Sequence, residues 1–218
     1  MKKFFIYAIT ISVLIISNKV SAQQGFSVSV KATPQFSFLQ NEDDNNNNSY
    51  SRKATFNTNF GVGAAYNFDR YLGVEVDVLY SLQGQKYTLN SIEYKQKVDY
   101  VKVPVYFTYN TDASKLVSFI GKVGPQVSFL TNAKLSDNNS GKTLDDTKDR
   151  YKTATFDGAA VAGVQFKVQP QLYITTAARF DYDFTNAEDK DYASYIPGRA
   201  KTYNSTAGLE VGLKYLIH

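Results

Sequence analysis

Leu172-Tyr173-Ile174-Thr175-Thr176-Ala177-Ala178-Arg179-Phe180-Asp181-Tyr182-Asp183-Phe184 is the stretch that decides how this chain folds. Its even positions are mostly apolar, from Leu172 and Ile174 to Phe180, Tyr182 and Phe184. Its odd positions carry Arg179, Asp181 and Asp183. A period of two marks a strand with one apolar and one polar face. The same alternation recurs along the chain, for instance in Leu72, Val74, Val76, Val78, Tyr80 and Leu82. Eight strands are predicted: 26–38, 53–68, 71–85, 97–110, 116–130, 154–168, 171–185 and 200–217. Short connections at Asp69-Arg70, Thr111 to Lys115 and Gln169-Pro170 alternate with long polar ones at 39–52, 86–96, 131–153 and 186–199. Tight turns at one end and long loops at the other point to an all-β fold. The expected architecture is an eight-stranded antiparallel up-and-down transmembrane β-barrel. An even strand number places both termini on the periplasmic side.

The start of the chain reads differently. Lys2 and Lys3 precede a mostly apolar stretch from Phe4 to Ile16, and Val20-Ser21-Ala22 is a small-residue cleavage site. Residues 1–22 are therefore expected to be a cleaved signal peptide, with residues 23–218 forming the barrel domain. Losing Lys2, Lys3 and Lys19 takes the 24 basic residues to 21, against 20 acidic ones. The basic balance of the full sequence thus comes mainly from the leader, and no case for nucleic-acid binding survives. With no cysteine there are no disulfides, thiolate metal sites or lipoprotein acylation.

A water-soluble barrel of lipocalin type would show the same alternation with its apolar face inside. Three features favour the inverted wall. The polar face is rich in small residues such as Ser29, Gly61, Gly63, Gly124, Gly163 and Gly212, which a narrow interior needs. Aromatics such as Tyr66, Phe68, Tyr71, Tyr80, Phe107, Tyr109, Phe180 and Tyr215 gather toward strand ends, as interfacial girdles do. The last strand carries an assembly-type pattern, given below. Pro34, Pro104 and Pro125 fall inside predicted strands, so a bulge or a lost ladder bond is expected at each. The run Asn41-Glu42-Asp43-Asp44-Asn45-Asn46-Asn47-Asn48 is expected to bury nothing and to be mobile.

Twelve charged residues share the polar parity: Lys31, Glu75, Asp77, Lys102, Lys122, Asp157, Lys167, Arg179, Asp181, Asp183, Glu210 and Lys214. Six are basic and six acidic, so they balance as a paired lumen network, which buried charges require. The carboxylate pairs Glu75/Asp77 and Asp181/Asp183 would otherwise be the sole candidates for acid–base chemistry. The only histidine is the terminal His218, and there is no G-x-S-x-G. No catalytic, cofactor or metal residues are assigned. The acidic run at residues 42–44 lacks the spacing of a calcium loop. An eight-strand lumen filled by long side chains leaves no broad pore.

The segment Glu75-Val76-Asp77-Val78-Leu79-Tyr80-Ser81-Leu82-Gln83-Gly84, followed by Tyr100-Val101-Lys102-Val103-Pro104, resembles the small outer-membrane β-barrel proteins of Bacteroidetes, the porin-like or PorT-like family. Those carry a GxxxExLYSxxG segment and then YxxIP. Here Val103 stands where isoleucine is usual, and Lys102 where an acidic residue is common. Gly121-Lys122-Val123-Gly124-Pro125-Gln126 is similar to that family's fifth-strand Gly-Pro stretch. The resemblance implies fold and location, not an activity. In the last strand Gly212, Tyr215 and Ile217 fit the signal read by barrel-assembly machinery, although His218 replaces the terminal aromatic. The expected partners are outer-membrane lipid, that machinery during biogenesis, and a membrane protein complex. The expected role is structural or surface-interacting and non-enzymatic, in the cell outer membrane. The alternative is a narrow porin or an accessory barrel of a protein-secretion system.

Overall fold

The computed structural model describes residues 25–45, 51–89, 92–112, 115–193 and 195–217. The leader assigned to residues 1–22, the run 46–48 and His218 lie outside the described residues. The wall is built from β1 (Gly25–Gln40), β2 (Ser51–Asn67), β3 (Leu72–Ser81), β4 (Gly84–Leu89) and β5 (Ile92–Asn110). It continues with β6 (Val117–Asp137), β7 (Thr143–Asp146), β8 (Ala154–Gln169), β9 (Leu172–Asp183) and β10 (Tyr203–Ile217). All pairings are antiparallel. Each wall strand pairs with the next, and β10 returns to β1 with Phe26 opposite Ile217, so the sheet closes into an eight-strand ring. β3 and β4 share one place in that ring, separated by Leu82-Gln83. β4 continues between β2 and β5. β7 is a short flap on β6.

The wall faces the way the membrane reading requires. In β1, Ser27, Lys31, Thr33, Gln35 and Ser37 are buried, while Phe26, Val28, Val30, Phe36 and Phe38 are exposed. In a soluble barrel these two sets would exchange places. Exposed aromatics pair at both ends of the wall: Phe26 with Tyr66 (4.8 Å) at one, Phe36 with Phe56 (5.3 Å) and Phe60 with Tyr80 (5.7 Å) at the other. Phe26 and Phe36 lie ten positions apart on β1. At about 3.3 Å per residue and about 40° of tilt this spans about 25 Å, the height of an outer-membrane apolar band.

The structure corrects the sequence reading in the long connections. Residues 86–89 and 92–96, predicted as part of a loop, belong to β4 and β5, which continue the wall; residues 90–91 lie outside the described residues. β6 likewise runs to Asp137, inside the predicted loop 131–153. Both wall faces are polar beyond the lipid, so the period of two fades while strand pairing continues. Asn41 is buried, with Nδ2 donating to Ala200 O and Thr202 Oγ1 at 2.8 Å, and Glu42–Asn45 form a short helical turn, α1. At the prolines ladder contacts lapse without a bulge. Around Pro34, Ala32 pairs with Val211 and Gln35 with Gly208, an unshifted register. Around Pro104 and Pro125, Pro104 pairs with Gln126 and Phe107 with Val123, again unshifted. The register slips elsewhere, at Asp99/Tyr100.

The β2–β3 turn has a local cause. The Asp69 carboxylate accepts from the backbone N–H of Tyr71 (2.6 Å) and Leu72 (2.8 Å), as an Asx turn does. Those two bonds hold its carboxyl below the usual range. Their support is present above the unfolded aspartate pKa and fades as pH falls.

Candidate functional site

Two regions stand out: a vestibule between the long loops, and the lumen under it. The vestibule has a volume of about 610 Å³, and Tyr87, Tyr151, Tyr192, Tyr195, Arg150 and Glu188 are among its lining residues. Its walls are fastened loops. Residues 151 and 188 form a β-bridge. Lys152 N donates to Ala187 O (2.9 Å), Ala187 N to Thr202 O (2.8 Å) and Asp189 N to Arg150 O (2.9 Å). Asn186 Oδ1 accepts from Thr202 N (2.8 Å), and Glu188 receives the Thr202 hydroxyl (2.7 Å) and Arg199 Nε (3.1 Å). The Asp43 carboxylate accepts from Ala200 N (2.6 Å), which ties α1 to the loop before β10. The Arg150 guanidinium lies 5.5 Å from the Tyr192 ring centre. Composition marks these connections only as long and polar, because their many Asn, Asp and Ser partners lie far apart in the chain.

The vestibule floor is apolar. Leu39, Val98, Tyr100, Leu130 and Ala133 form a buried cluster inside the barrel, and Tyr151 packs on it from above. Burial pushes the Tyr151 hydroxyl well above its ordinary pKa. Below that layer the Asn204 side chain donates to the Tyr100 hydroxyl (3.1 Å) and to Asp183 Oδ2 (3.0 Å). Asp157, opposite Asp183 in register, accepts from Gln126 (3.0 Å), Thr155 (2.9 Å) and Ser128.

Eight of the twelve charged residues form ion pairs in mid-lumen. Lys31 pairs with Glu75 and with Asp77 (2.8 Å). Lys122 pairs with Glu75 (2.7 Å) and Glu210 (3.7 Å). Arg179 pairs with Glu210 (3.2 Å) and Asp181 (3.0 Å), and Lys102 with Asp181 (2.9 Å). The chain of contacts therefore runs from β1 and β3 through β6, β10 and β9 to β5. Asp157 and Asp183 are held by neutral donors instead. Lys167 and Lys214 make no ion pair among the described residues. Lys167 is half-buried beside the β8–β9 turn. Lys214 lines a cavity of about 20 Å³ at that end with Glu75, Lys122, Gln165 and Thr175. Such a space is about the size of one water molecule.

Sequence reasoning missed Tyr106. It is buried, and its ring centre lies 6.0 Å from Lys122 Nζ and 5.8 Å from the Arg179 guanidinium carbon. The signal was available: Tyr106 shares the even parity of Lys102 on the same strand. Gly63 provides room for the network. A Cβ there would press on Asp77 Oδ1 and come within 3.1 Å of Lys31 Nζ. Gly63→Ala is expected to cost about 1–3 kcal/mol through overpacking, read as a lower urea midpoint. Ser29→Ala, which adds no atom at that level, should leave the unfolding free energy within about 1 kcal/mol of wild type.

The three residues of the assembly pattern lie on β10 against β1. Gly212 is opposite Lys31 and faces the lumen, while Tyr215 and Ile217 are exposed to the outside. Among the described residues no group of three or more His, Cys, Asp and Glu is placed to hold a metal ion. In α1 the Asp43 carboxylate is spent on Ala200 N.

A family model described as an outer membrane protein beta-barrel domain matches residues 20–189. Among solved structures, the chain is similar to Neisserial surface protein A, with a TM-score of 0.53 and 13% identity over 88% of this chain and 97% of that one. It is also similar to the outer membrane protein OprG from Pseudomonas aeruginosa, at 0.50 and 13%, over 90% and 97%. At such identity the likeness is one of fold. No curated protein sequence matches the chain.

Proposed function

The chain belongs to the outer membrane protein beta-barrel domain family, and from that premise we propose that it is a non-enzymatic barrel whose closed lumen carries a surface-interaction platform. The observation that supports this most is the stack inside the ring. The ionic layer of Lys31, Glu75, Asp77, Lys122, Glu210, Arg179, Asp181 and Lys102 lies under the apolar layer of Leu39, Val98, Tyr100, Leu130 and Ala133. Both layers reach across the lumen from several strands, so a solute entering the vestibule meets a floor. The short turns and both termini face the periplasm, and the tied loops face outward. Histidine-dependent nucleophilic chemistry would have to draw on residue 218, the single histidine of the sequence, and the lumen carboxylates are tied up in ion pairs or in hydrogen bonds to neutral donors.

In planar bilayers the purified protein is expected to give no reproducible conductance steps. Stable unitary steps would identify a narrow porin and overturn the closed-lumen reading. The fastened outer loops favour a second role, that of an accessory barrel in a protein-secretion assembly, as the PorT-like resemblance implies. That role predicts a larger membrane complex retained on mild solubilisation. Barrel-assembly machinery would meet Gly212, Tyr215 and Ile217 on β10. Tyr215→Asp is expected to lower the folded fraction in cells far more than it lowers stability after refolding in vitro.

A further inference from the structure

The wall above the outer aromatic girdle carries like charges directly opposite one another. Lys53 on β2 pairs in register with Lys86 on β4, and Lys86 with Lys95 on β5. Two positions along β5, Lys97 pairs with Lys134 on β6. Residues directly opposite share a face, as do residues two apart on one strand. All five lysines therefore lie on one face. Gln85 and Gln96, at the alternate positions, are buried within the barrel, so the lysine face is the outer one. Lys53, Lys97 and Lys134 are exposed; Lys86 and Lys95 are half-buried. The acidic groups nearby are Glu93, 3.9 Å from Lys53, and Asp146, opposite Lys134 in register. Asp99 acts weakly on Lys95. Five cations thus face three nearby carboxylates, which leaves two positive charges in excess.

Like charges directly opposed on neighbouring strands destabilise a sheet. Here three such pairs follow one another across four strands. Burial, then Lys97 and Lys86, hold the Lys95 ammonium below the usual lysine range. The described residues do not supply the missing counter-charge, and the position of the ladder says what would. Lys53 lies three residues beyond the girdle residue Phe56, and Lys134 five beyond the exposed Phe129. At about 3.3 Å per residue on a tilted strand, these are about 8–13 Å above the apolar band. Long lysine stems lie along a wall and return their ammonium groups to headgroup level.

We propose that this lysine ladder on β2, β4, β5 and β6 docks the phosphorylated headgroups of outer-leaflet glycolipid. The inference rests on the outward placement of the loops given above, but not on whether the lumen conducts. Phosphate oxygens set between Lys86, Lys95 and Lys97 would turn three repulsions into charge-assisted hydrogen bonds. Such contact fixes the rotation of the barrel in its lipid annulus and places β7 and the vestibule rim among the lipid's sugars.

The test titrates the full mature protein, refolded in uncharged detergent, with bis-phosphorylated lipid A and with its dephosphorylated form. The phosphorylated lipid is expected to bind at least tenfold more tightly, with affinity falling as salt rises. Each lysine near an anionic surface contributes about fivefold. Replacing Lys86, Lys95 and Lys97 with glutamine should therefore remove most of that preference, and replacing them with arginine should keep it. Without lipid the glutamine variant should unfold no earlier than wild type, because repulsion has been relieved. Equal affinity of the glutamine variant and wild type for phosphorylated lipid A would overturn the proposal. So would earlier unfolding of that variant without lipid, since the lysines would then be supporting the wall. Displacement of lipid A by equimolar pyrophosphate or a soluble sulfated polysaccharide would move the site to soluble anions and overturn the lipid assignment.

Discussion

Arg179→Ala is expected to lower the unfolding free energy by about 3–5 kcal/mol, the largest loss of any single lumen substitution. Arg179 is 2% exposed and touches two carboxylates, Asp181 and Glu210, as well as Gln126 Oε1 at 3.1 Å. Removing it leaves Glu210 with Lys122 at 3.7 Å, and Asp181 with Lys102 as its sole cation beside the Thr206 hydroxyl at 3.1 Å. The cost is that of stranding buried charge, not the net worth of the pairs. A second substitution should therefore recover part of it: Arg179→Ala with Glu210→Gln is expected to be more stable than Arg179→Ala by itself. Urea unfolding in detergent or thin vesicles reads both. An unchanged midpoint for Arg179→Ala would mean that water already fills the lumen at that level.

Val76→Arg is expected to cost about 2–4 kcal/mol for a different reason. Val76 points out of the wall at its middle rungs, opposite Ala64 on β2 and Val105 on β5. An arginine there must reach through hydrocarbon to find water. The penalty depends on depth, so Tyr71→Arg, at the short-turn end, should cost about 1 kcal/mol or less. One residue from Val76, Asp77→Asn acts on the opposite face and weakens only the contact with Lys31, which keeps Glu75. If Val76→Arg and Tyr71→Arg had equal effects in vesicles, the exposed apolar wall would not be facing lipid.

The strands were legible because lipid enforces the alternation that reveals them. Every position from Leu172 to Phe184 must face either hydrocarbon or a narrow polar interior, and the letters record the choice. The charged lumen was readable for the same reason, since Lys31, Glu75 and Arg179 sit on the parity that leads inward. Legibility ended where lipid ended. Above the girdle, β4 and the first turns of β5 have water outside and polar groups inside, so residues 86–96 looked like a loop. Cross-chain ties such as Asn41 to Thr202 and Asp43 to Ala200 depend on which loops meet, and local composition does not encode that. Lys167 and Lys214 had the right parity and the wrong height: parity gives the direction of a side chain, not its level along the axis. The lysine ladder was hidden likewise, because Lys53, Lys86, Lys95 and Lys134 become neighbours only once the register is known.

The pairing of Phe26 with Ile217 joins the earliest described strand to the latest. Until β10 arrives, β1 has one side bare along its whole length, and so has whichever strand was added last. Such rims are templates for joining the wrong neighbour. Contacts between residues so distant along the polypeptide also form slowly. The route to this molecule therefore passes through species with two bare rims, which must stay unpaired until they can meet. A version cut within residues 138–141, with its two natural ends linked, should reach the same circle by zipping from a different starting point.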